Sequence, residues 1–427
     1  MSTLAKIWTN ADLRKRIIFT LMIFVIYRIG SYVAVPLINT SVLGATMDST
    51  FFGFMDALSG GALQRFSIFA MGISPYITAS IVIQLLQMDI IPVLSEWAKE
   101  GETGKRKINQ LTRYASLVLA FIQAITIAIG FNLMYGGILL ESRSVWAYLY
   151  IGIVMTAGTA MLLFLADQIT LKGIGNGTSM LIIAGIISRI PSMITDIYDR
   201  YLTNVNWVNI LGVVTIVALM IATIIAVVYL QSATRKLPIQ YANRHNAGQL
   251  SGRKDSFIPF KLNSAGVIPV IFASSLMMLP MTVVQFFPDA GFSNILNMLF
   301  NFQEQPIALL VYVALIVAFT YYYSFVQVSP EKIAENLKKQ GSYIPGIRPG
   351  VDTENYVSKI LGRVTFIGAI YLVIIACLPI VLGFFMDFPP SVQIGGTGIL
   401  IVVGVAMETS KQISNKNMDQ KYRGFIK

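Results

Sequence analysis

Apolar runs of about 20 residues recur along the whole of this 427-residue chain, and that is the length a helix needs to cross the ~30 Å hydrocarbon core of a bilayer. Ten such runs stand at 17–35, 75–94, 114–135, 146–166, 174–190, 208–229, 264–286, 307–327, 364–385 and 394–411. Only 12% of the residues are charged, against about 25% in a soluble domain, so too little polar surface remains to coat a water-soluble globule. Length alone would suggest two or three soluble domains. The hydropathy replaces them with one all-α polytopic membrane protein of ten transmembrane helices. The apolar run after Arg14, Lys15 and Arg16 is span-length and no A-x-A site follows it, so it is read as a span and not as a cleavable signal. The single Cys377 and single His245 leave no disulfide framework and no cluster from which to build a zinc site.

The net charge of +11 could point to nucleic acid, and its distribution decides against that. With the N-terminus placed inside, 27 of the 32 Lys and Arg fall in inside segments and four (Arg65, Arg143, Arg189, Arg200) fall outside. Arg28 lies within the first run. This asymmetry is the positive-inside signature of a membrane protein, and it puts both ends on the cytoplasmic side of a cell membrane.

Ten spans divide into five and five, about 1–207 and 208–427. An odd number per half makes any repeat inverted. The second span of each half carries one motif, G-x-x-P-x-I-x-A-S, as Gly72–Ser80 and again as Gly266–Ser274. Gly- or Pro-interrupted spans at matched positions point to a pathway near the midplane. Between the first two spans, Phe51 to Met71 is apolar yet interrupted by Asp56, Gly60, Gly61 and Arg65. A short helix re-entering from outside would suit it; the other reading is an amphipathic loop on the membrane surface.

The spans hold almost no ionisable residue, whereas ion-coupled transporters need partners for charge inside the membrane. Arg28 is the main exception and is read as structural; Asp89 and Glu408 lie toward span ends. Gly101–Lys105 lacks the spacing of a P-loop. Gly173–Gly177 does not follow a strand and reads as a flexible lead-in to the fifth span. No Ser/His/Asp set can be assembled, so an enzyme is not expected. A secondary transporter with an inverted repeat is the competing function. The two long inside loops, 230–263 and 328–363, carry basic, Pro/Gly-punctuated tips. These suit a macromolecular partner or anionic lipid.

The Gly72–Gln84 motif, Gly101–Tyr114, Gly173–Gly177, Asn263–Pro269, Tyr343–Gly350 and Gly395–Thr397 together resemble the SecY family, in that family's order across nearly the whole chain. The size and charge split suggest a bacterial member. The resemblance implies a protein-conducting channel between two five-helix halves, one that passes unfolded secretory polypeptides and releases membrane segments into lipid. It implies a pore ring of Ile77, Ile81, Ile182, Ile186, Ile271 and Ile401. It implies a plug at about 51–70, with Asp56, Leu58, Gly60, Gly61, Leu63 and Arg65, and a lateral gate between the second/third and seventh/eighth spans, where Gln84, Asn263, Ser274 and Ser275 are candidate contacts. The loops, with Arg235, Lys236, Arg244, Arg253, Lys254 and Arg348, would receive the SecA motor ATPase or a ribosome. SecE and SecG would complete the complex, and signal-bearing proteins would be substrates. No cofactor is implied. Asn243 beside Arg244 departs from the Lys-Arg pair of many relatives.

Overall fold

The computed structural model describes residues 10–39, 55–56, 58–87, 90–134, 137–140, 144–203, 207–241, 256–286, 291–385 and 390–424. The described chain is mostly helical, and a helix overlies each of the ten apolar runs. These are α1 (Ala11–Gly30), α2 (Ser74–Leu86), α4 (Glu102–Met134), α5 (Val145–Lys172), α6 (Gly177–Ile197), α7 (Trp207–Ser232), α8 (Ile268–Phe286), α10 (Pro306–Gln327), α12 (Val351–Phe385) and α13 (Pro390–Gly424). Three shorter helices join them: α3 (Pro92–Lys99), α9 (Gly291–Phe300) and α11 (Pro330–Lys339). Among the described residues, six helices are long and apolar enough to cross a membrane, and α2 and α8 are shorter apolar helices.

Local chemistry sets the helix starts. Asn10, Ser144, Asn176 and Ser329 accept backbone N–H groups of the first turns of α1, α5, α6 and α11, as good N-caps do. The two repeat motifs open α2 and α8 alike. Gly72 (φ 55°) and Gly266 (φ 68°) take a left-handed turn, and Pro75 and Pro269 sit in the first helical turns, where a missing N–H is harmless. Outward faces remain apolar. On α7, Leu211, Val214, Val217, Ile221 and Ile225 form an exposed stripe, a surface that suits lipid and not water.

The helices pack in two groups. Helices α1, α2, α4, α5 and α6 contact one another, as do α7, α8, α10, α12 and α13. The groups meet along two main seams: α8 against α2 and α4, and α13 against α6.

Four expectations are corrected. The second run does not continue to 94. Helix α2 stops at Leu86, and Ile91 is extended (φ −115°, ψ 109°) ahead of Pro92, because the residue before a proline is pushed out of the α region. Asp89 lies outside the described residues. Gly173–Gly177 is not a flexible lead-in. A Cβ on Gly177 would stand 1.7 Å from the Ala166 carbonyl oxygen, and the Ile174 N–H donates to Thr20 Oγ1 at 3.2 Å, so this is a close-packed turn.

The long loops are also folded. Strands β1 (Thr234–Tyr241), β2 (Ser256–Lys261) and β3 (Ser342–Tyr343) form an antiparallel sheet in the order β2-β1-β3. Leu237, Ile239 and Phe260 of the sheet, Leu337 of α11 and Val357, Leu361 and Val364 of α12 share a separate small core. Finally, the described part of the stretch through Met71 is only briefly helical, at 55–56 and 58–59, and turns follow to Ile73. It is not a surface loop, because Leu63, Phe66 and Phe69 are at most 1% exposed.

Candidate functional site

Six isoleucines define the centre. Ile77 and Ile81 lie on α2, Ile182 and Ile186 on α6, Ile271 on α8 and Ile401 on α13, and each is 2–8% exposed within one contiguous apolar cluster. The i,i+4 spacing puts each pair on one helix face. Ile186 lies against α13: a Cβ built on Gly398, one turn before Ile401, would meet its Cγ2 at 2.9 Å. The six isoleucines thus come from both helix groups and both seams. No polar side chain is needed to hold them.

A cleft of about 750 Å³, including its mouth and lined by both polar and apolar groups, opens onto this cluster. Asn176, Gln231, Asn263, Gln327, Glu408 and Lys411 are among its walls, and so is Ile271. Lys411 donates from Nζ to the Gln231 carbonyl at 2.8 Å, tying α13 to α7 at the rim. A cleft lined in part by charged and polar side chains therefore adjoins the apolar cluster.

Segment 55–71 packs against the same cluster through Met55, Leu58, Leu63, Phe66 and Phe69. Several of its polar groups are tethered to α1 and α6. Asp56, 1% exposed, accepts an ion-paired hydrogen bond from Arg189 Nη1 of α6, and its Oδ1 accepts the Gln64 N–H at 2.8 Å. Arg28 Nη1 and Ser188 Oγ donate to the Gly60 carbonyl at 2.9 and 3.1 Å. Tyr27 Oη donates to the Ser59 carbonyl at 2.7 Å. Gly60 has φ 71°, and a Cβ there would stand 2.6 Å from Ser188 Oγ and 2.9 Å from Gly185 Cα; only glycine fits. Arg65 stacks over the Tyr32 ring at 3.9 Å. Gly61 lies at the following turn with φ 82°.

The gate candidates divide. Gln84 crosses between groups: the Tyr323 hydroxyl donates to its Oε1, and the Tyr322 hydroxyl donates to its backbone carbonyl at 3.2 Å. Ser274 and Asn263 do not cross. Ser274 Oγ donates to Ile271 O of its own helix at 2.9 Å, and Asn263 Nδ2 donates to Gly266 O at 2.8 Å. Ser275 is buried and its Oγ has no partner among the described residues.

Of the basic loop residues, Arg235 and Lys236 are exposed on β1, and Lys236 lies over the Phe257 ring at 4.7 Å. Arg348 is exposed on a turn whose carbonyl accepts the Thr353 hydroxyl at 2.8 Å. Arg244, Arg253 and Lys254 lie outside the described residues. Sequence reasoning passed over Arg189, Tyr27, Ser188, Tyr322 and Tyr323. Arg189 carried a signal, as one of four basic residues on the sparsely charged side. The Tyr321–Tyr323 run at the end of an apolar stretch carried another.

With this geometry in hand, three comparisons bear on identity. The family described as SecY matches residues 67–410. Protein translocase subunit SecY of Halalkalibacterium halodurans is 48% identical, covering 100% of this chain and 99% of that protein. The protein of the same name from Bacillus subtilis is 46% identical with the same coverage. Among solved structures, one described as a protein conducting channel superposes with TM-score 0.65 at 16% identity, covering 95% of this chain and 93% of that one. Sec61 in the canine ribosome-channel complex superposes with TM-score 0.63 at 16% identity and the same coverage. None of these supports the secondary-transporter reading. The chain belongs to the SecY family of protein translocase subunits.

Proposed function

We propose that this chain is a protein-conducting channel of the cell membrane, crossing ten times in two inverted five-helix halves, with both termini cytoplasmic. The observation that carries the proposal is the isoleucine collar: six apolar side chains from four helices, buried in one cluster beside a cleft of mixed polar and apolar lining. An apolar constriction can dewet and exclude ions. It also offers no fixed polar group to bind a passing side chain, so an extended polypeptide can slide through it. The two-group packing and the matched openings of α2 and α8 support the halves.

Segment 55–71 serves as the plug that closes the funnel opposite the cleft, and its burial against the collar favours that role over a surface loop. The α8 seam against α2 and α4 is the lateral gate, through which signal sequences and membrane segments pass into lipid. No residue pattern here supplies energy. The β-sheet subdomain and the exposed Arg348 turn therefore dock an external engine, the SecA motor or a ribosome; the ribosome-bound fold relative supports the second. SecE and SecG are the expected small subunits.

The test is Ile271→Asn in the reconstituted complex. A polar amide in the collar hydrates the constriction, so resting ion conductance in planar bilayers should rise several-fold, with a gain in translocation of substrates carrying weak signals. Unchanged conductance would show that Ile271 does not line a seal.

A further inference from the structure

We infer that Arg28, Tyr32 and Arg65 form an outward-facing site for the phosphate of an anionic phospholipid, and that lipid bound there holds segment 55–71 in its closed position. The inference rests on the plug reading above and assigns it a lipid ligand. Both guanidiniums lie over one ring. Arg65 Cζ stands 3.9 Å and Arg28 Cζ 4.7 Å from the Tyr32 centroid, so the two charges are within about 9 Å of each other. Arg28 Nη2 donates to the Tyr32 hydroxyl and its Nη1 to the Gly60 carbonyl, both at 2.9 Å. Among the described residues neither arginine has a carboxylate partner, and Arg65 makes no hydrogen bond. Arg189 is the contrast, since Asp56 neutralises it. Two like charges at a membrane edge, with no carboxylate between them, are completed by an anion.

The backbone fixes the pair. The residues flanking it form a short antiparallel bridge. Ala34 pairs with Ser67, the Ile68 N–H donates to the Val33 carbonyl, and the Val35 N–H donates to the Phe66 carbonyl, both bonds at 2.9 Å. Phe66, next to Arg65, takes a left-handed turn with φ 47°. Its ring is fully buried, edge-on to Phe131, while Arg65 stays exposed. Strained backbone of this kind persists where the surroundings over-determine it. Here it sends Phe66 into the core and leaves Arg65 outside.

The surroundings select a lipid as the source of the anion. Helix α1 has 20 residues, ~30 Å of helix. Its last turn, which holds Arg28, therefore reaches the outer headgroup level when its first turn lies at the inner one. Met22, Val25 and Ile29 make an exposed apolar stripe along α1 that ends beside Arg28 and Tyr32. An acyl chain can lie on that stripe while its phosphate meets the guanidiniums, and tyrosine is a common anchor at this depth. Arginine suits the ligand, because its planar fork takes two phosphate oxygens at once. Arg65 belongs to the segment and Arg28 to α1, so a shared phosphate ties one to the other. It also cancels the repulsion between the two cations.

The experiment uses the complete complex in proteoliposomes whose outer leaflet is phosphatidylcholine, with or without phosphatidylglycerol introduced by exchange. The readout is labelling of a Leu63→Cys reporter, in a Cys377→Ala background, by an impermeant thiol reagent. The reagent reports only copies whose outer face points to the medium. Phosphatidylglycerol should slow labelling about fivefold, the effect of one basic residue meeting an anionic surface, since Arg65 alone leaves with the segment. Arg65→Gln should abolish this dependence and Arg65→Lys should keep part of it. Arg200→Gln, at another outer position, should keep all of it. Equal rates with and without phosphatidylglycerol in the parent would overturn the inference. So would a dependence that survives Arg65→Gln or disappears in Arg200→Gln, since diffuse surface charge would then explain it. Inorganic phosphate added to phosphatidylcholine vesicles should give no protection; protection equal to that of the lipid would overturn the lipid assignment. A translocation intermediate arrested in the channel tests the plug reading separately. It should speed labelling in both lipids, and unchanged labelling there would refute the plug reading itself.

Discussion

Asp56 is the most deeply buried carboxylate of the described residues, and its surroundings explain why it is tolerated. Arg189 neutralises its charge, and the Gln64 N–H occupies its other oxygen. The Asp56 side chain is 2% exposed and that of Arg189 22%. Removing one partner of such a pair is destabilising by roughly 3–5 kcal/mol, because the remaining charge is left uncompensated. Arg189→Gln is therefore expected to unseat segment 55–71. The readout is the labelling rate of a Leu63→Cys reporter by a membrane-impermeant thiol reagent, in a Cys377→Ala background. Asp56→Asn combined with Arg189→Gln should label more slowly than Arg189→Gln alone, since no buried charge remains; the coupling in such contacts is of order 0.5–3 kcal/mol. Equal labelling of the single variant and the parent would mean that the ion pair does not hold the segment. The pairing of the two residues was not legible in the sequence. Their separation of 133 positions leaves no local pattern, and a lone arginine beside an apolar run reads equally well as a headgroup contact.

At the scale of elements, the helices were legible and the sheet was not, for one physical reason. A span must present about 20 apolar residues because the bilayer imposes a length, so each run in the sequence marks a helix. No such ruler applies to β1. Only Leu237 and Ile239 alternate inward, Pro238 interrupts the strand, and its partners Ser256–Lys261 and Ser342–Tyr343 lie far along the chain. Pro238 is tolerated because β3 pairs only with Gln240 and Tyr241, so no neighbour on that edge requires its missing N–H. The sheet rests on a small core of its own and should be separable from the membrane bundle. Phe260→Ala, a core truncation costing about 3–5 kcal/mol, should raise amide exchange throughout β1 and β2 and weaken motor binding, while exchange in α6 and α8 stays as in the parent. Arg348→Glu should weaken motor binding without altering exchange anywhere, because its side chain is exposed. Unaltered motor binding in both variants would remove the sheet and its neighbouring turn from the docking surface.

For the whole molecule, the two helix groups and the charge asymmetry make one joint demand. In the proposed topology, five crossings per group set each group's two ends on opposite sides of the membrane, and ten return the chain to its starting side. In the same proposal, the 27-to-4 split of basic residues selects the cytoplasmic side, since insertion scales charge about 2.5–3.5 kcal/mol for each Arg or Lys brought to the bilayer centre and basic loops stay inside. The demand is sharp because a single helix that failed to cross would move every later loop. The short α2, which ends at Leu86, is where such a failure would arise, and the basic segment 95–113 just beyond it supplies the opposing constraint. Single-cysteine reporters in a Cys377→Ala background test this directly. Ser2, Lys338 and Lys427 replaced by Cys should react with an impermeant maleimide only in inverted vesicles, and Thr203 and Glu304 replaced by Cys only in intact cells. Labelling of Ser2 and Lys427 from opposite sides would require an odd number of crossings. It would break the proposed pairing of α2 with α8 as inverted equivalents, and with it the proposed placement of one isoleucine from each motif in the pore ring.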